Sequence, residues 1–177
     1  ITAGLYVENS DVKGNVTNGV GGEILGGIGF GRANLGGDLI NAGLITLSDD
    51  EQGSEAIPAT IQINGNFSPD SNSEMFWEVP PVPPVEIELT GKIVNEATGS
   101  ITNTALAVMV APPSESDPIP LFMKPSVEMT DPAAIYLNYV NMADGIYNDG
   151  LISSTAGTAI RLENSNLNII SNTGIIT

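Results

Sequence analysis

The feature that most constrains this chain is an internal repeat too short for any one unit to bury its own apolar face. Four nine-residue segments align without gaps: 4–12 (GLYVENSDV), 27–35 (GIGFGRANL), 134–142 (AIYLNYVNM) and 159–167 (AIRLENSNL). Each reads small, apolar, any, apolar, any, any, small or Val, Asx, apolar. The Asx is Asp11, Asn34, Asn141 or Asn166. Six or seven residues further on comes a second signature: an apolar residue, a variable one, Asn, and a Gly-containing turn before Ile-Thr or Ile-Ser. Its asparagines are Asn18, Asn41, Asn95, Asn148 and Asn172, at intervals of 23, 54, 53 and 24. The two middle intervals are close to twice the outer ones. With weaker starts at Ile61, Glu86 and Val108, a unit of roughly 22 to 27 residues gives about seven units.

Inside a unit, apolar and polar residues alternate over three to five positions, as at Leu5 and Val7, Ile61 and Ile63, or Ile87 and Leu89. That period of two belongs to a strand with one buried face. A sustained helical spacing is missing, and many of the 20 glycines interrupt the windows a helix would need. Short strand-rich units must stack and share a core to be stable. The expected fold is therefore all-β, a parallel β-helix in which each unit is one coil. Each coil must turn sharply, and an Asx side chain can bond its own backbone or adopt left-handed dihedrals there. Stacked at the strand spacing of ~4.8 Å, such side chains reach from rung to rung. Asn18, Asn41, Asn95, Asn148 and Asn172 are expected to form one structural column, and Asp11, Asn34, Asn141 and Asn166 a second.

The units, in particular 35–46 (LGGDLINAGLIT) and 159–165 (AIRLENS), resemble the degenerate repeats of autotransporter passenger domains from Gram-negative bacteria. The resemblance implies a right-handed β-helix, displayed outside the cell after passage through an outer-membrane barrel, for adhesion, aggregation or carriage of an enzymatic module. It brings no set of catalytic residues with it. The amphipathic strands of such a barrel are not recognisable here. We read the chain as a single passenger segment, 1–177, excised from a larger protein, because Ile1 and Thr177 fall inside repeat units. No apolar run approaches the ~18 residues of a membrane-spanning helix, so direct membrane insertion of this segment is not expected.

Two stretches, 68–84 and 111–133, break the period and hold most of the 12 prolines. The first carries Met75, Phe76 and Trp77 beside a polyproline run, and the second carries Leu121, Phe122 and Met123. Loops on a rigid scaffold are where recognition is usually placed, so these six residues are the candidate binding positions. The competing reading is that Phe76, Trp77 and Phe122 fold back to cover coil edges.

Charge and composition narrow the chemistry. Twenty-one acidic residues against five basic ones give a formal charge of −16, and no basic run exists to replace the counterions of a nucleic acid. Without His or Cys there is no Ser-His-Asp or Cys-His set, no thiol chemistry and no disulfide. Lys13, Arg32, Lys92, Lys124 and Arg161 are dispersed over different units. Glu86 and Glu88 share a strand face and are the best carboxylate pair for glycoside chemistry, although solvation is the ordinary role of such residues. The acidic run Ser48 to Glu51, with Glu55, lacks the ligand spacing of a calcium loop. The glycine cluster at 26–31 falls short of a dinucleotide fingerprint and reads as close coil packing.

The expectation is thus a non-catalytic extracellular stalk on a bacterial surface, without catalytic residues, metal or cofactor. Its partners would be a host or neighbouring-cell surface, matrix, or itself, and not nucleic acid. A structural subunit stacking end to end into a filament is the first alternative, and a polysaccharide-active β-helix enzyme the second.

Overall fold

A computed structural model describes residues 4–47, 59–65, 85–105 and 131–177. Among these residues every regular element is a strand. The first turn of chain supplies β1 (Leu5–Glu8), β2 (Val16–Asn18) and β3 (Glu23–Ile24), and the second β4 (Ile28–Gly31), β5 (Leu39–Asn41) and β6 (Leu44–Leu47). The third contains β7 (Ala59–Asn64), β8 (Ile87–Leu89), β9 (Ile93–Asn95) and β10 (Ser100–Asn103). The fourth is β11 (Ala133–Asn138), β12 (Val140–Asn148) and β13 (Leu151–Ser154), and the fifth β14 (Thr158–Glu163), β15 (Asn166–Asn172) and β16 (Ile175–Ile176).

Three sheets run the length of the stack, in the orders β1-β4-β7-β11-β14, β2-β5-β9-β12-β15 and β3-β6-β10-β13-β16, with β8 paired to β12 beside the second. Every pairing is parallel. Neighbouring strands in each sheet come from successive turns of chain, which is the pattern of a β-solenoid. The described residues make five turns.

This differs from the expected seven, and the register gives the reason. Asn41 pairs directly with Asn95, and Asn95 with Asn148, so each long interval is one rung and not two. The weak starts at Ile61 and Glu86 are two parts of one coil, since β7 pairs with β4 while Leu89 bridges Leu35. Val108 lies outside the described residues. The excess length falls in 48–58, 66–84 and 106–130. The first of these was not separated from the repeat in the sequence, and the expected boundary at 133 overlaps β11, which starts at Ala133.

Period-two alternation becomes five apolar columns in the shared interior. Leu5, Ile28, Ile61, Ile135 and Ile160 stack in register, as do Val7, Phe30, Ile63, Leu137 and Leu162. Val12, Leu35, Leu89, Met142 and Leu167 form a third column. A fourth is Val16, Leu39, Ile93, Ile146 and Ile170, and a fifth Ile24, Ile45, Ile101, Ile152 and Ile176. Members from the middle turns are buried and belong to one continuous cluster. Each fully buried Ile or Leu contributes about 1.5–3 kcal/mol of transfer free energy, so the shared core is what lets units this short fold.

Close coil spacing also explains the glycine cluster. Gly27 has a φ of 73°, and a Cβ there would lie 2.7 Å from the carbonyl oxygen of Thr60 on the next turn. Gly29 lies under the ring of Tyr6, which fills the space a side chain would need.

Candidate functional site

Polar side chains in this fold meet mainly along the corners between sheets. At the corner joining the second and third sheets, Asn18, Asn41, Asn95, Asn148 and Asn172 form a hydrogen-bonded column. Each Nδ2 donates to the Oδ1 of the next rung, at 2.8, 2.8, 2.7 and 2.7 Å. The same amide groups also donate to the carbonyls of Leu44, Ser100, Leu151 and Ile175 in the third sheet. Asn41, Asn95 and Asn148 are at most 1% exposed, so these bonds are made where water cannot substitute. Beside the column runs a file of glycines. A Cβ on Gly99 would collide with Asn95 Oδ1 and the Asn41 carbonyl, and one on Gly150 with the carbonyls of Gly99 and Glu96. The turn glycine is therefore required by close approach.

The second column is longer than the sequence indicated. Asn34 Nδ2 donates to Asp11 Oδ1 at 2.9 Å, the Glu88 amide donates to Asn34 Oδ1 at 3.0 Å, and Asn141 Nδ2 donates to Glu88 Oε1 at 3.2 Å. Asn166 is the register partner of Asn141. Glu88 is thus the middle rung, and its carboxylate accepts from an amide instead of facing an open cleft. Glu86 is exposed beside it. Two further short columns were not read from the sequence. One links Asn15 Oδ1 to the Asp38 amide and Asp38 Oδ1 to the Lys92 amide, at 2.9 and 3.0 Å. The other joins Asn64, Asn138 and Asn164 through amide bonds of 3.3 and 3.2 Å.

At the corner after the first sheet, Asn9, Arg32, Tyr139 and Asn164 hold φ values of 46 to 55°. Asparagine tolerates that region, whereas Arg and Tyr carry a local cost that the stacked backbone bonds around them offset. Among the backbone bonds here, Asn9 N–H donates to Gly31 O and Tyr139 N–H to Glu163 O.

Among the described residues, a cluster of ionisable groups lies on the outer face of the first sheet. Tyr136 is buried, and its hydroxyl donates to Glu163 Oε2 at 2.8 Å while Arg161 Nε donates to Glu163 Oε1 at 2.7 Å. The guanidinium sits 5.7 Å from the Tyr136 ring centre, a cation–π distance. Burial, and then the Glu163 carboxylate, push the Tyr136 hydroxyl far above its ordinary value. Partial burial alone would raise Glu163, but the hydrogen bonds from Tyr136 and Arg161 and the guanidinium charge hold its carboxyl below the usual range. The phenol and the carboxylate are thus hydrogen-bonded to each other, and the carboxylate to the guanidinium.

The other described basic residues do not converge with it. Lys92 lies 5.4 Å from the Tyr147 ring centre on the second sheet, Lys13 is exposed, and Arg32 occupies a corner. Lys124 lies outside the described residues. So do Met75, Phe76, Trp77, Leu121, Phe122 and Met123, and the acidic run with Glu55. Among the described residues no three His, Cys, Asp or Glu side chains gather as a metal site would require.

The excursion at 66–84 has closed ends: the Val85 amide donates to the Gly65 carbonyl at 3.0 Å. Asn9, Ser10, Asp11, Arg32 and Val85 line a shallow, open depression at that point. No family model, curated protein or solved structure matches this chain.

Proposed function

We propose that this protein is a non-catalytic stalk: a right-handed β-helical segment displayed outside a Gram-negative cell, carrying its contact elements in the stretches 68–84 and 111–130. The observation that carries the reading is the fate of the buried polar groups. Asn41, Asn95 and Asn148 are used up in rung-to-rung bonds, and the Tyr136–Glu163–Arg161 group is internally satisfied. Polar chemistry of that kind makes a rigid rod. The right-handed sense follows from the strong preference of parallel strand–crossover–strand connections. A formal charge of −16 keeps the rod dispersed and turned away from anionic surfaces. Met75, Phe76, Trp77, Leu121, Phe122 and Met123 supply the adhesive contact, to a host or neighbouring-cell surface or to matrix.

The test is alanine replacement of these six residues, with shortened loops as a second variant, measured as binding to cells and to matrix-coated surfaces. Binding should fall while the far-UV circular dichroism spectrum and melting temperature hold. Undiminished binding by folded variants would remove the loops from the mechanism.

A further inference from the structure

The rungs of the main asparagine column differ in the residue that follows. Asn41, Asn95, Asn148 and Asn172 precede Ala42, Glu96, Asp149 and Thr173, whereas Asn18 precedes Gly19. The sequence holds one other Asn-Gly pair, Asn64-Gly65. The difference is chemical. A backbone nitrogen can attack the side-chain carbonyl carbon of the asparagine before it, and glycine, with no Cβ and wide backbone freedom, hinders that attack least. At this pair the bond from Gly19 nitrogen to Asn18 Cγ would form and the Cγ–Nδ2 bond break, Nδ2 leaving as ammonia with the proton from Gly19. Water then opens the succinimide ring at either carbonyl, which gives aspartate or isoaspartate at position 18.

We propose that Asn18-Gly19 is a latent deamidation site, held shut by the asparagine column and able to react only when this corner opens. In the folded coil the leaving nitrogen is held by three acceptors: Nδ2 donates to Asn41 Oδ1 at 2.8 Å, to the Leu44 carbonyl at 3.1 Å and to the Gly22 carbonyl at 3.3 Å. The backbone of the pair is fixed as well. Ala42 N–H donates to the Asn18 carbonyl and Gly22 N–H to the Gly19 carbonyl, each at 2.8 Å. Closing the ring requires the amide to turn out of these bonds at a residue only 6% exposed. Asn64-Gly65 is shut from the other side, because the attacking nitrogen is itself committed: Gly65 N–H donates to the Asn138 carbonyl at 2.9 Å.

The product does not fit back into the column. The three partners of Asn18 Nδ2 are all acceptors, so an aspartate would set a carboxylate against three oxygens at a buried position. Isoaspartate also lengthens the main chain by one carbon inside the pairing of Val16–Asn18 with Leu39–Asn41. An opening of this corner, reversible in itself, becomes permanent once it lasts long enough for the ring to close. The site is distinct from the loops and does not depend on their binding anything.

The test incubates the full chain at mildly alkaline pH, in buffer and in urea above its unfolding midpoint, and follows residue 18 by peptide mapping with mass spectrometry. Conversion in buffer should run at least about tenfold slower than in urea, since the reaction has to wait for local opening. Gly19→Ala should suppress conversion at residue 18 in urea, and the open space at Gly19 lets this variant keep the fold. Converted wild type is then returned to buffer beside G19A carried through the same incubation, which shares any change at Asn64. The wild type should refold with a lowered melting temperature while the variant regains its own. Equal rates at Asn18 in buffer and urea, or an unchanged melting temperature after conversion, overturns the proposal.

Discussion

Replacing Asn95 by Ala should be among the most damaging single changes available in this protein. Asn95 is fully buried. Its Nδ2 donates to Asn148 Oδ1 at 2.7 Å and to the Leu151 carbonyl at 3.0 Å, and its Oδ1 accepts from Asn41 Nδ2 at 2.8 Å. Asn41 keeps the carbonyls of Gly43 and Ser100 as acceptors, so its donor is partly rescued. The oxygen of Asn148 loses its donor from the preceding rung. Its three shorter bonds at about 1 kcal/mol net each, with a further 1–2 kcal/mol for a buried acceptor left short, give about 4–5 kcal/mol, the 3.3 Å bond to the Gly99 carbonyl adding little. Asn172 sits in the same column but is exposed, and water can replace the bond it accepts from Asn148. Asn172→Ala should cost about 0.5–1 kcal/mol. Asn95→Asp is the sharper control: it keeps the shape but turns a carboxylate toward two oxygens, and should cost at least as much as Ala. Urea unfolding followed by far-UV circular dichroism reads the differences as midpoint shifts at constant slope. Equal losses at positions 95 and 172, or a loss below ~1 kcal/mol at 95, would refute the claim that burial within the column sets its strength.

Three further outcomes follow from the same geometry. Gly150→Ala should destabilise by about 2–3 kcal/mol, because its Cβ meets backbone carbonyls of the preceding turn, while Gly19→Ala, with open space around it, should be near neutral by the same unfolding assay. Ile101→Ala opens a void in a fully buried column and should cost about 3–4 kcal/mol, against a smaller loss for the partly buried Ile176→Ala. Because the Glu163 carboxyl is held below its usual 4.5, its contribution is complete above that pH and is lost as pH falls through the depressed folded value. Melting temperature should therefore decline more steeply on acidification in wild type than in E163Q, which has no proton to take up; parallel pH profiles would count against the assignment.

The repeat and the main asparagine column were legible because both are local patterns: alternation betrays a half-buried strand, and Asn before a glycine turn betrays a tight corner. The number of turns was not legible. An excursion as long as a coil leaves the same gap between successive asparagines as a whole extra unit, and only the pairing of Asn41 with Asn95 separates the two. Glu88 escaped for a different reason. A search for Asx finds Asp11 and Asn34, whereas a longer carboxylate reaching the same rung looks in sequence like half of an acid pair. Arg32 and Tyr139 carry no local mark of the left-handed region, since stacking and not propensity puts them there. The Tyr136–Glu163–Arg161 group joins adjacent turns, and its only sequence trace is two opposite charges at alternate positions, 161 and 163.

The closed ends of the excursion at 66–84 make the fold a chassis. Gly65 and Val85 are joined by a backbone bond, and the strands on either side keep register with the fourth turn, Asn64 against Asn138 and Ile87 against Val140. The framework itself therefore fixes where the excursion leaves and where it returns. Closing a loop twice as long costs only about 0.6 kcal/mol more, little beside the burial of one core isoleucine. By loop closure alone, a change of length between Gly65 and Val85 therefore costs the rod little.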